Sequence, residues 1–257
     1  MKKAYMAIDI GSINIKGILI DEEEKIILKC SFKIKEDYIK TYGRVINKLR
    51  GGINIEEYKI CLVKITGNRK RLIERSLGKD CFTNIITSLY NYAIGRIPSV
   101  KTIIDIGNSL KIIKIKNNII NDYIIDDVNY YGIFIDKVLD ILEIDYNSDI
   151  NIYKSNINLL NKNTILFNYN IINHLLTKYS KEEILNSIYD LVIQNILYNV
   201  KKEELKSPIL LTGGLSLNKG FVKKLEISLN KKIYVLDDSL YASVIGSIKI
   251  NNLIINK

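Results

Sequence analysis

Apolar positions along the chain switch between strand-like runs and helix-like spacing in an order that repeats. Ala4 to Ile10 is an apolar run ending in Asp9-Ile10-Gly11-Ser12, Ile13 to Ile20 reads as a second strand, and the charged turn Asp21-Glu22-Glu23-Glu24-Lys25 leads into a third, Lys25 to Lys33. Helical spacing covers Tyr38 to Leu49, a strand covers Tyr58 to Thr66 with Thr66-Gly67-Asn68 as its turn, and a second helix spans Phe82 to Ile94 before Pro98. From Val100 the order begins again: Thr102 to Ile106 ends in Asp105-Ile106-Gly107-Asn108, and strands follow at Leu110 to Ile115 and Ile119 to Ile125. A helix from Tyr131 to Leu142 and a long helical stretch from Asn168 to Val200 come next. The chain then gives a buried strand, Pro208 to Thr212, the turn Gly213-Gly214, a helix Asn218 to Leu229, a strand Lys232 to Leu236 and a last helix Leu240 to Ile250.

Strand, Asp-Ile-Gly, strand, turn and strand therefore stand at the head of each half. The duplication implies two related lobes, residues 1–97 and 98–257, and with 257 residues, 47% of them apolar, each has material for a core.

The net charge of +10 raises nucleic acid as a partner, but the excess is lysine dispersed along the chain, and arginine occurs only at Arg44, Arg50, Arg69, Arg71, Arg75 and Arg96. Only Asn68-Arg69-Lys70-Arg71 is locally dense, and a solvated helix start accounts for it, so nucleic acid is not an expected partner. No apolar run reaches the roughly 18 residues of a membrane span and no leader pattern opens the chain, which predicts a soluble, cytoplasmic protein without a membrane partner. Cys30, Cys61 and Cys81 are too scattered for a disulfide frame or zinc site and read as buried thiols. His174, the single histidine, reads as a helix-surface residue.

The chemistry concentrates where strands end. Gly11 and Gly107 let backbone N–H groups approach phosphate oxygens, and Ser12 adds a hydroxyl. Lys16 offers a point charge, and Asp9 and Asp105 are the catalytic candidates, able to hold Mg2+ through water or to orient an attacking water. Late in the second half, Thr212-Gly213-Gly214-Leu215-Ser216-Leu217-Asn218 brings a buried strand through a double glycine to a helix start. Gly213, Gly214, Asn218 and Asn108 complete the candidate binding set.

At this point a family resemblance becomes specific. Asp9 to Gly17 resembles the first phosphate loop of the ATPases that activate 2-hydroxyacyl-CoA dehydratases and benzoyl-CoA reductases. Thr66-Gly67-Asn68-Arg69 looks like the family's Thr-Gly-Tyr-Gly-Arg segment, Thr102 to Gly107 like its second phosphate loop, and Leu211 to Gly220 like its adenosine turn. Gly132 to Ile144 and Tyr241 to Ser247 resemble the helix after the second hairpin and the closing helix, so the likeness spans nearly the whole chain. It implies an α/β fold of two related ribonuclease H-like lobes of actin-like ATPase type with a nucleotide cleft between them. ATP and Mg2+ are the implied cofactors, and a dehydratase-like protein the implied partner.

Departures qualify what is carried over. Family members form a homodimer bridged by an iron–sulfur cluster, and the cluster cysteines fall at or near Asp127 and Thr164, so neither a cluster of that type nor the dimer is supported here. Asn108-Ser109-Leu110 stands where the family has Gly-Gln-Asp, which predicts slow hydrolysis or binding alone, and tyrosines crowd Val128-Asn129-Tyr130-Tyr131-Gly132. Two alternatives stay open: a non-catalytic scaffold or regulatory relative, and a small-molecule kinase with Asp105 as base.

Overall fold

The structure, a computed structural model, describes residues 1–248 apart from 36, 74–77, 128–130, 147, 149, 156 and 158–168. It divides into two compact units, one formed by Met1–Pro98 together with the segment from Tyr241 onward, the other by Ser99–Leu240.

The first unit is built on a four-stranded sheet. Strands β1 (Lys2–Ile10), β2 (Asn14–Asp21) and β3 (Ile26–Lys33) run antiparallel in sequence, and after helix α1 (Tyr38–Gly51) the chain returns as β4 (Tyr58–Thr66), parallel to β1. The spatial order is β3-β2-β1-β4. Asp37 starts α1 by accepting from the backbone N–H groups of Ile39 and Lys40. Met6, Ile8, Ile10, Ile15, Leu19 and Ile65 pack with Val45 and Leu49 of α1, so the helix covers one sheet face. Helix α2 (Ile85–Arg96) begins later than the apolar pattern suggests, because Asn84 caps it by accepting from Ile86 N–H.

In the second unit β5 (Thr102–Ile106), β6 (Leu110–Lys116) and β7 (Ile119–Asp126) repeat the antiparallel trio. Helices α3 (Tyr131–Leu142), α4 (Tyr169–Leu176) and α5 (Lys181–Asn199) precede β8 (Ile209–Thr212), which runs parallel to β5. Helix α6 (Lys219–Leu229) and β9 (Ile233–Tyr234) extend the order to β7-β6-β5-β8-β9. The core joins Ile104, Ile106 and Ile112 of the sheet to Phe134 and Ile135 of α3, Ile188 and Val192 of α5, and Phe221 of α6.

Three expectations change. The stretch expected as one helix from Asn168 to Val200 is interrupted at Ser180, whose hydroxyl accepts from Glu183 N–H while the Glu183 carboxylate accepts from Ser180 N–H. This reciprocal cap starts a new helix; Asn168 itself lies outside the described residues. The closing helix, expected over Leu240 to Ile250 and in the second lobe, is α7 (Ala242–Ser247) and belongs to the first unit. There Asn91 of α2 donates to Gly246 O at 3.2 Å; residues 249 and 250 lie outside the described residues. Of the three cysteines only Cys30 is buried: Cys61 is exposed on β4, an edge strand that alternates toward solvent, and Cys81 is intermediate. His174 is exposed on α4, as a surface residue should be.

Candidate functional site

Each unit places its strand-ending aspartate at the same point of the same three-strand frame. In the first, Asp9 faces Lys16 across the antiparallel β1–β2 pair and Thr66 across the parallel β1–β4 pair. In the second, Asp105 faces Lys111 and Thr212 in the corresponding registers. A glycine of positive φ follows each threonine, Gly67 at 103° and Gly213 at 86°. A Cβ at Gly67 would lie 2.4 Å from both Asp9 Oδ1 and Ile10 O, and one at Gly213 would lie 2.5 Å from Ile106 O. Glycine is therefore required twice, by backbone conformation and by the approach of the aspartate strand. The three-strand repeat thus extends to a fourth, parallel strand in each unit.

The two aspartates are held differently. Asp9 is 7% exposed; its Oδ2 accepts from the Ser243 hydroxyl of α7 at 2.7 Å and lies 4.0 Å from Lys16 Nζ. No described residue donates to Asp9 Oδ1, and the buried Thr66 hydroxyl beside it has no partner. Both oxygens of Asp105 are occupied: Oδ1 accepts from the Thr212 hydroxyl at 2.9 Å and Oδ2 from Lys111 Nζ at 3.2 Å. Lys111 also donates to Ser109 Oγ at 2.7 Å, and its side chain is only 6% exposed. A carboxylate already paired with a buried ammonium has its charge neutralised and offers little to a divalent cation. Asp9, with the unpartnered Thr66 hydroxyl nearby, fits Mg2+; Asp105 does not. Among the described residues no group of three or more His, Cys, Asp or Glu is arranged to hold a metal directly, so Mg2+ at Asp9 would keep most of its water.

The turns give the other candidates their places. Gly11 N–H donates to Asn14 O at 3.2 Å and Gly107 N–H to Ser109 O at 3.1 Å, so the loop glycines spend their own donors inside the turn. In the first turn the N–H groups of Ser12 and Ile13 have no described acceptor, and Tyr38 fixes the loop by donating to Ser12 O at 3.1 Å. In the second, Asn108 leaves its Oδ1 buried and unpaired.

At the double glycine, Gly214 opens a short 3-10 turn, Gly214–Leu217, its carbonyl accepting from Tyr146 OH at 3.0 Å. Asn218 is 1% exposed; its Oδ1 accepts from Phe221 N–H and from Tyr189 OH, capping α6, while its Nδ2 has no partner among the described residues. Burial pushes the Tyr189 hydroxyl up to about 12, so it remains a donor. Asp127 is exposed, whereas Thr164 and residues 128–130 lie outside the described residues.

Lys111 is the participant that sequence reading missed. The second turn is one residue shorter than the first, so its lysine comes one position sooner after the aspartate while occupying the same cross-strand place. Counting back from the paired turn residues would have found it.

Two units sharing this strand order and these strand-end carboxylates define an actin-like ATPase fold. The solved activator of the 2-hydroxyisocaproyl-CoA dehydratase from Clostridium difficile, with bound ADPNP, superposes with a TM-score of 0.77 at 24% identity, covering 96% of this chain and 92% of that one. In sequence, the chain is 30% identical over 249 residues to the uncharacterized protein MJ0004 of Methanocaldococcus jannaschii, covering 95% of this chain and 98% of the relative. It is 27% identical over 254 residues to the 2-hydroxyisocaproyl-CoA dehydratase activator of Clostridioides difficile, covering 94% and 92%. No family model matches the chain. The chain belongs to one family with MJ0004 and is a homologue of the 2-hydroxyisocaproyl-CoA dehydratase activator. No helix among the described residues is long and apolar enough to cross a membrane.

Proposed function

We propose that the chain is a cytoplasmic, activator-type ATPase that binds Mg2+-ATP, turns it over slowly and changes shape to act on a dehydratase-like protein partner, without an iron–sulfur cluster of its own. The observation that carries this reading is the first hairpin, where Asp9 keeps one carboxylate oxygen open beside the free N–H groups of Ser12 and Ile13 and the ammonium of Lys16. Backbone donors and a lysine suit phosphate oxygens, and a carboxylate with an open oxygen suits the hydrated metal that accompanies them. When bound, Mg2+ would offset charge on the phosphates. Gly107, Asn108, Gly213 and Gly214 complete the proposed binding set. Asn218 supports it from behind, as the cap of α6.

Slow turnover follows from Asp105. A carboxylate that accepts from a buried lysine and a threonine is poorly placed to take a proton from water or from an acceptor hydroxyl. The same pairing weighs against the kinase reading. Cysteines are absent from positions 127 and 164, which supports an activator that does not transfer electrons through a bridging cluster.

The test is calorimetric titration of the full chain with ADPNP and Mg2+, alongside phosphate release from ATP. We expect saturable binding, an Asp9→Asn variant weaker by tenfold or more, and phosphate release without transfer to added sugars or acids. A wild-type chain that fails to bind at millimolar nucleotide would overturn the reading.

A further inference from the structure

In Mg-nucleotide folds with duplicated hairpins, a carboxylate at each strand end could in principle serve the metal, and the two sites here answer that possibility differently. At the second hairpin a protein cation is already in place. Lys111 projects from β6 in register with Asp105, its side chain 6% exposed, and Nζ lies 3.2 Å from Oδ2 and 2.7 Å from Ser109 Oγ. Thr212 takes the other oxygen at 2.9 Å. The carboxylate and the hydroxyl stand in for the water of the buried ammonium, and the carboxylate, with a donor on each oxygen and its charge paired, offers little to a hydrated metal. At the first hairpin the equivalent lysine stands back at 4.0 Å and the equivalent threonine hydroxyl is unpartnered, so nothing comparable fills the place.

We propose that Lys111 is an internal counter-ion occupying the cation's position at the second hairpin, a positioning residue that withdraws Asp105 from metal binding and water activation and leaves the divalent ion to the first hairpin. The inference deepens the nucleotide reading of these hairpins, and rests on it only for what the metal accompanies.

The decisive probe is Mn2+ alone, added to the full chain without nucleotide, with paramagnetic broadening of backbone amide signals as the readout. In the wild type, Mn2+ should broaden Gly11 and Ser12 and leave Gly107 and Gly213 sharp. In Lys111→Met, which uncovers Asp105, broadening should extend to Gly107 and Gly213; in Lys111→Arg, which keeps a cation there, those signals should stay sharp. Broadening of Gly107 in the wild type overturns the proposal, as does a folded Lys111→Met chain whose Gly107 signal ignores the ion. If Lys111→Met does not fold, the wild-type spectrum decides alone: a sharp Gly107 beside a broadened Gly11 supports the proposal, and the reverse ends it. Failure of the chain to bind ADPNP would sink the nucleotide reading without touching this measurement.

Discussion

The first unit holds its strand-end carboxylate from one side and the second holds its counterpart from both, although the two stand in the same strand registers. Asp9 meets the Ser243 hydroxyl and only distantly Lys16; Asp105 is closed by Lys111 and Thr212. The frames are duplicates down to the threonine and the positive-φ glycine that follows it. Backbone topology therefore fixes where a carboxylate stands, while one residue of turn length and the reach of one side chain decide whether it is available. In physical terms the first site carries the cost of an unpartnered Thr66 hydroxyl and a half-open carboxylate, whereas in the second the threonine, the lysine and the carboxylate satisfy one another.

The contrast is sharpest in the lysines. Removing one partner of a buried ion pair strands the other charge and costs about 3–5 kcal/mol, so Lys111→Met should lower unfolding free energy by that order in denaturant titrations. Lys16→Met loses a longer contact, 4.0 Å against 3.2 Å, and should cost less than Lys111→Met. Equal losses would erase the distinction between the units. The threonines come next. A hydrogen bond to a charged group contributes about 1.5–3 kcal/mol, and Thr212→Val should cost within that range. Thr66→Val removes a buried hydroxyl with no partner and should raise stability by about 1 kcal/mol, since an unsatisfied buried group costs about 1–3 kcal/mol.

The smallest expected effect separates the helix starts. In the second unit α5 begins with the reciprocal Ser180–Glu183 cap, and the N–H and hydroxyl of Ser180 hold the Glu183 carboxyl below its usual range. A lowered folded value means that the interaction is fully present above the ordinary glutamate range and is lost as pH falls through the folded value. The protection factors of the amides at the start of α5 should therefore fall on acidification, and Glu183→Gln should flatten that dependence. The start of α1, held by Asp37 without a reciprocal partner, should show no change in the Glu183→Gln chain.

Much of this was legible in the sequence. Both hairpins, the parallel strand of each unit and the glycine turns follow from apolar runs ended by Asp-Ile-Gly or Thr-Gly, because a buried strand and a tight turn each leave a short-range mark. Thr66-Gly67 and Thr212-Gly213 could both be seen, but their equivalence could not, since it depends on which strand each lies beside. The break at Ser180 was hidden by apolar spacing that continues across it, although Ser180 followed by Glu183 is a readable cap. The place of α7 was beyond reach for a different reason: its partners, Asn91 and Asp9, are distant in sequence. Lys111 was visible as a residue and invisible as a partner until strand register was known.

That placement of α7 bears on how the molecule comes into being. The first unit is interrupted by the whole of the second and is completed by the segment from Tyr241 onward. On the ribosome, the whole of the second unit is made between Asp9 and Ser243. The strand-end carboxylate therefore waits through the synthesis of the second unit for its hydrogen-bond donor, and a nascent chain stopped before Tyr241 carries a first sheet whose central aspartate is still without it.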